Sequence, residues 1–286
     1  MDPEELRRRI ASFPRWHYEF DFGNGITTPI HGEDRGDRHH QRGRYFFDPL
    51  VAVAGGSLRG KRVLDLGCNA GWWSLRAAEA GADYVAGIDG RQMHVDQANL
   101  VFEAKGIDAS RYSFSVGDVL RDKWPDGPFD GVLCLGLLYH VNDPIGLLDR
   151  ISETSWDLLV IDTAVADGAG SYWRSRTDSA DDPRSSVGAK TVLIPSRRAL
   201  VDLAKSHGYR VVALAPNMTD YQGMEDFRTG ERLAFICAKV TDLSSLRSSS
   251  AGPPPFSRFE SWMQRILRRV RARVWSRHLT KQATKS

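Results

Sequence analysis

The chain has 286 residues, 41% of them hydrophobic and 26% charged, the balance of a globular protein with a sizeable core. No apolar run approaches the length of a membrane span, and the opening MDPEELRRRIASF is too charged for a secretion signal. Three cysteines, Cys68, Cys134 and Cys237, stand apart without a CxxC pair, which argues against a disulfide framework or a zinc site and favours a cytoplasmic protein.

In chain order, residues 1–60 form an N-terminal aromatic segment, expected to act as a lid. It holds WHYEFDFGNGITTP at 16–29 and the mixed-charge run HGEDRGDRHHQRGR at 31–44. His31, His39 and His40 with Glu33, Asp34 and Asp37 raise the question of a metal, but arginines interleave with them and the spacing fits no ligand set. We read the run as a solvated loop with no metal.

From 61 to 242, short β-rich runs alternate with helical stretches. The runs are RVLDLG (62–67), YVAGID (84–89), YSFSVGD (112–118), GVLCLG (131–136), DLLVIDT (157–163), YRVVAL (209–214) and LAFICAKV (233–240). Helical patterns fall at 74–80, 92–104, 144–152 and 196–207. This rhythm predicts an α/β fold, a doubly wound, seven-stranded and mostly parallel sheet.

Residues 243–255 have linker composition. In the tail, 256–286, nine Lys or Arg face one acid, so it carries +8 and the rest of the chain −5. Phe259, Trp262, Met263, Ile266, Leu267, Val270 and Val274 recur there at three- and four-residue steps, the pattern of a basic amphipathic helix. Docking on the acidic body or a partner chain and peripheral contact with an anionic membrane stand level as its role, with RNA below both.

RVLDLGCNAGWW, at 62–73, places glycines between a strand and a helix, where α/β sheets receive ligands. A dinucleotide fingerprint would need glycine where Asn69 and Trp72 stand, and a phosphate loop would end in Gly-Lys-Ser/Thr, which is missing. Asp65 would repel a pyrophosphate but suits a ligand bearing an ammonium group.

These residues resemble the first motif of the class I S-adenosylmethionine-dependent methyltransferases, an acid followed by GxGxG, with asparagine at the middle glycine. The resemblance spans residues 61–240 and implies the following roles. Gly67, Asn69 and Gly71 let the backbone approach the methionine part, and Asp65 meets its amino group directly or through water. Asp89, ending the second strand beside Gly90, accepts both ribose hydroxyls. Asp118 takes the adenine amine, with Val119 supplying backbone, and Leu135 and Gly136 flank the cofactor. A glycine at a strand end is also a common turn, and a strand-end aspartate a common helix cap; the ordered set is what carries the resemblance.

A narrower resemblance lies in WHYEFDFGNGITTP and LGLLYHVNDP (residues 135–144), which look like the branch containing the tRNA wobble-uridine methyltransferases such as the carboxymethyltransferase. That branch also modifies small molecules and saccharides, so the substrate does not carry over. His140, just past the fourth strand, suits a general base, and His17 is the second candidate. Tyr18, Thr27, Thr28, Tyr139, Trp173 and Arg174 are candidates to line an acceptor pocket. The expected function is methyl transfer from S-adenosylmethionine to a small-molecule or glycan acceptor, at oxygen. The alternatives are wobble-uridine methylation of tRNA and, in another class, a non-catalytic scaffold acting through the basic tail.

Overall fold

The computed structural model describes residues 1–30, 36–178, 187 and 191–249. The linker beyond 249 and the basic tail lie outside the described residues, as do His31, Glu33 and Asp34.

Seven strands make the main sheet: β1 (Arg62–Leu66), β2 (Tyr84–Asp89), β3 (Tyr112–Val116), β4 (Phe129–Leu135), β5 (Ser155–Ala164), β8 (Arg210–Ala213) and β9 (Arg232–Ala238). Between β5 and β8 the chain adds a separate antiparallel pair, β6 (Trp173–Thr177) and β7 (Thr191–Pro195). The main order is β3-β2-β1-β4-β5-β9-β8. β1 to β5 pair in parallel, while β9 runs antiparallel to both β5 and β8. The central strands read as nearly continuous apolar runs because both faces are covered, and β1 and β2 are buried after their first residue.

The covering helices are α4 (Trp72–Glu79), α5 (Gln92–Ala104), α6 (Pro144–Thr154) and α7 (Arg197–Ser206). Each of the last two begins where a side chain accepts an orphan N–H: Asp143 from Gly146, and Ser196 from Ala199. Leu147, Leu148, Ile151 and Leu200 pack with Leu64, Leu66 and Phe235 on one face of the sheet. On the other face Trp73 and Leu75 pack with Leu133 and Val160.

The N-terminal segment belongs to that second core. It forms α1 (Pro3–Ala11), α2 (Gly36–Arg42), a π-helical turn at Gly43–Phe47 and α3 (Asp48–Val53). Trp16, Phe46 and Phe47 are fully buried beside Trp73. Tyr45 donates to the Leu214 carbonyl at 2.8 Å and accepts from the Ala234 amide at 3.1 Å. Residues Met1–Ser249 form one compact unit, which takes in the N-terminal segment. The short helices α8 (Glu225–Thr229) and α9 (Ser244–Ser249) complete the unit, with Leu243 and Leu246 buried inside the stretch expected to be a linker.

The mixed-charge run requires a correction. From Gly36 to Arg42 it is helix, not solvated loop, and His39 is only 1% exposed. The helix tolerates burial because its charge finds a buried partner, Asp162 on β5. No group of three or more metal-ligating side chains occurs among the described residues.

Candidate functional site

A cavity of about 910 Å³ opens at the carboxyl ends of β1, β2 and β4, where the strand order reverses direction between β1 and β4. Its wall includes Gly67, Asn69, Asp89, Gly90, Asp118, Val119 and Leu135, all expected to touch a cofactor. It also includes His17, Tyr18, Tyr139 and His140 from the expected catalytic and acceptor sets.

The loop after β1 takes its shape from three left-handed residues, Gly67 (φ 69°), Asn69 (φ 50°) and Gly71 (φ 77°). A Cβ on Gly71 would meet that of Ala98 at 3.0 Å, so this glycine lets α4 start close against α5 and is not itself part of the cavity wall. The loop's amides are already committed. Gly67 and Cys68 donate to the Ile88 carbonyl, Asn69 to Asp89 Oδ2, Ala70 to Asn69 Oδ1 and Gly71 to the Cys68 carbonyl. A loop with its N–H groups so spent is no phosphate cradle. It fits a ligand that approaches over the glycine backbone without a phosphate.

The three expected acids occupy different positions. Asp65 lies beneath the loop, buried, outside the cavity wall, and accepts from Ser74 Oγ at 2.7 Å. Burial pushes its pKa up to about 7, with the hydroxyl of Ser74 pulling the other way and Asp89 adding to the rise. Asp89 does line the cavity, but its Oδ1 accepts from the Arg91 amide and bonds His94 Nδ1, both at 3.0 Å, and its Oδ2 takes the Asn69 amide at 2.9 Å. A carboxylate has about four acceptor positions, so about one is left, on Oδ2. Asp118 sits at the lip, accepts from the Leu120 amide at 2.8 Å and pairs with Arg121.

Another part of the wall is basic. Arg232, first residue of β9, forks onto Asp162 with Nε–Oδ1 at 2.9 Å and Nη2–Oδ2 at 2.7 Å. Arg42 pairs with the same Asp162 Oδ2, and Arg232 Nη1 reaches the Tyr139 hydroxyl at 3.2 Å. Burial alone would raise the Asp162 pKa, but Arg232 and Arg42 outweigh it and hold the carboxyl down to about 2. Arg38 also lines the cavity; burial, then the charges of Arg42 and Arg232, lower its pKa. The Nε atoms of Arg38 and Arg42 are buried without a hydrogen-bond partner among the described residues.

His140 closes the 3₁₀ turn Leu138–His140, and its Nδ1 lies 2.9 Å from Asp178 Oδ2. Burial lowers its pKa below the ordinary histidine value, and the hydrogen bond and charge of Asp178 partly restore it. His17 lines the wall at 5.2 Å, ring to ring, from His39, and Tyr18 stacks on Trp72.

Several expected residues lie elsewhere. Thr27 is exposed in an isolated bridge with Asp21, while Thr28 is buried and joins the Tyr18 carbonyl to the Phe20 amide. Trp173 and Arg174 begin β6 and do not reach the cavity; the end of the same strand does, through Arg176, Thr177 and the following Asp178. The sequence reading also missed Arg38, Arg42, Arg232 and Asp162. Asp162 carried a usable signal, since VIDT places an acid near the end of its strand, as YVAGID does at its last residue.

A family described as "Methyltransferase domain" matches residues 38–214. A tRNA U34 carboxymethyltransferase of Proteus mirabilis (strain HI4320) is 34% identical over 114 residues, 39% of this chain and 34% of that protein. Its counterpart in Edwardsiella ictaluri (strain 93-146) is 27% identical over 256 residues, 88% of this chain and 72% of the relative. The chain spans about half the length of several other curated relatives of that name. The N-terminal domain of EvdMO1, crystallised in the presence of SAH and D-fucose, superposes with a TM-score of 0.62 at 21% identity, over 85% of this chain and 98% of that one, a likeness of fold. No helix among the described residues is long and apolar enough to cross a membrane. With the family matched over more than half its length, the chain belongs to the methyltransferase domain family, as a class I S-adenosylmethionine-dependent methyltransferase related to the tRNA U34 enzymes.

Proposed function

We propose that this chain transfers a methyl group from S-adenosylmethionine to an oxygen of a small-molecule or glycan acceptor. One observation carries the proposal: a single cavity is lined both by the glycine loop with Asp89 and by His140. Its volume of about 910 Å³ lies at the upper end of small-molecule sites, room for a nucleoside cofactor and a modest acceptor together.

The residues present fit the cofactor. The loop from Gly67 to Gly71 offers backbone surface with its amides already bonded, Asp89 Oδ2 keeps a place for one ribose hydroxyl among the described residues, and Asp118 and Val119, which line the same cavity, would receive the adenine. When bound, S-adenosylmethionine supplies a methyl group on a positively charged sulfur. The chain's own work is to hold the acceptor oxygen in line behind that methyl, an effective-molarity effect, and to receive the hydroxyl proton at His140 Nε2. Tyr18, Tyr139 and His17 line the cavity wall through which an acceptor would be oriented.

A second reading is group transfer to the wobble uridine of tRNA. Two observations favour it: the names of the relatives, and two guanidiniums, Arg42 and Arg232, paired with one fully buried carboxylate, Asp162, with a third, Arg38, lining the same cavity. Radiolabelled methyl transfer from S-adenosylmethionine into fractionated cell extract separates the two. Label in small metabolites or saccharides supports the first reading, and label in tRNA, falling steeply with salt, supports the second.

A further inference from the structure

We propose that Asp178 is a positioning residue. It holds the His140 imidazole with its proton on Nδ1, so that the Nε2 lone pair faces a weakly acidic alcohol acceptor. The proposal rests on the reading of the cavity as a methyltransferase site and adds the class of hydroxyl it serves.

The geometry starts from the hairpin that the sequence reading missed. β7 is tied to the turn that carries His140, because the Leu193 amide donates to the Val141 carbonyl at 3.1 Å. β6 runs antiparallel to β7 and ends at Thr177, which delivers Asp178 to the cavity wall beside His140. Both side chains are largely out of solvent, His140 at 16% and Asp178 at 8%. An ionised carboxylate can only accept, so its 2.9 Å bond to Nδ1 fixes the proton there. Arg176, 3.5 Å from the other oxygen, favours the ionised carboxylate. Nε2 is then left with a lone pair on the nitrogen that the Asp178 bond does not use. Burial favours the neutral imidazole, the form a base must hold before it acts.

Such a base matters only for some acceptors. A hydroxyl that ionises by itself near neutral pH gains little from it. An aliphatic or sugar hydroxyl loses its proton only as the new bond forms, and gains from a base in place. In the step, the acceptor O–H bond breaks toward Nε2, the acceptor O–CH3 bond forms and the S–CH3 bond breaks. The sulfur keeps the bonding pair as a neutral thioether, and the positive charge passes to the imidazolium, which later releases its proton to solvent.

The test is nitrogen NMR of the histidine rings in the full chain saturated with S-adenosylhomocysteine, with His140 assigned by its loss in His140→Gln. In the wild type the Nδ1–H form should dominate at neutral pH. In Asp178→Ala the ratio should move at least about tenfold toward the Nε2–H form that free imidazole favours, and the His140 pKa should fall as the carboxylate's support is lost. Asp178→Glu, which keeps an acceptor, should restore the Nδ1–H form. A dominant Nε2–H form in the wild type, or a ratio that neither variant moves, overturns the proposal. Failure of S-adenosylhomocysteine to bind in calorimetry would instead sink the methyltransferase reading. The tautomer measured without ligand would still decide the role of Asp178.

Discussion

Arg42 of α2 and Asp162 near the end of β5 meet as an ion pair with both side chains out of water, 4% and 0% exposed. The pair joins the N-terminal segment to the sheet beside the cavity, and Arg232 holds the same carboxylate from β9. Replacing Asp162 by Asn would leave two buried guanidiniums facing each other without their anion. Breaking a buried pair in this way costs about 3–5 kcal/mol. For a chain of this size the melting temperature should fall by roughly 10 °C. The native pair also has an acid limit: the folded pKa of about 2 lies below the ordinary value, so its stabilisation is present above about pH 4 and fades as pH falls toward 2. Thermal scans of the two proteins at pH 7 and pH 3 check both statements, and an unchanged melting point in Asp162→Asn would remove the pair from the fold's support.

The seven strands of the main sheet were legible because their signal is local. YVAGID and the 92–104 helix match the structure residue for residue, since a buried parallel strand and an amphipathic helix each write their own period into the sequence. The α2 helix was not legible. GDRHHQR has no apolar face, and the helix is held by an aspartate about 120 residues away and by ring contacts of His39 with Tyr18 and Trp72. The β6 hairpin was hidden for a related reason. WRSRT is mostly exposed and polar, so its strand exists through pairing with β7 and not through burial. Glycine spacing and strand-end acids pointed to residues that line one cavity, whereas its basic group was assembled by long-range contacts that leave no periodic trace.

Asp89 joins two tasks that the sequence reading treated as one. It accepts two backbone amides, of Asn69 and Arg91, and it faces the cavity. Asp89→Ala should therefore lower affinity for S-adenosylhomocysteine by about 10- to 100-fold, the range for a lost hydrogen bond to a charged group. It should also cost stability, about 1–3 kcal/mol for each amide left buried without a partner. Calorimetric titration and a melting curve on the same preparation separate the two effects. Full affinity with a lowered melting point would mean that the carboxylate shapes the loop and touches no ribose.

His140 should set the acid limb of the rate profile. Its base form is the neutral one, and burial lowers its pKa below the ordinary value of about 6.5. Labelled-methyl transfer into whichever extract fraction accepts it should therefore hold its rate down to a pH below 6.5 before declining. His140→Ala should lose about 100-fold or more in turnover, with affinity for S-adenosylhomocysteine unchanged. A limb above 6.5, or near-normal turnover in the variant, would assign proton removal to another group.

Asp65 makes a prediction of opposite sign to that for Asp162. Its folded pKa, raised to about 7 by burial, lies above the ordinary carboxylate value. Between about pH 4 and pH 7 the unfolded chain has released this proton while the folded protein still holds it, so rising pH favours unfolding. Each pH unit in that window costs about 1.4 kcal/mol, or roughly 2–3 kcal/mol from pH 5 to pH 7. Asp65→Asn cannot ionise, and its carbonyl oxygen can still accept from Ser74 Oγ, which lies 2.7 Å from Asp65 in the native protein. Whatever its stability at pH 5, the variant should gain on the wild type by that amount as pH rises to 7 and should keep that gain at pH 8. Denaturant unfolding at pH 5, 6, 7 and 8 measures the difference directly. A constant gap across the series would mean that Asp65 is already ionised in the folded protein, with its charge answered by a partner within the loop.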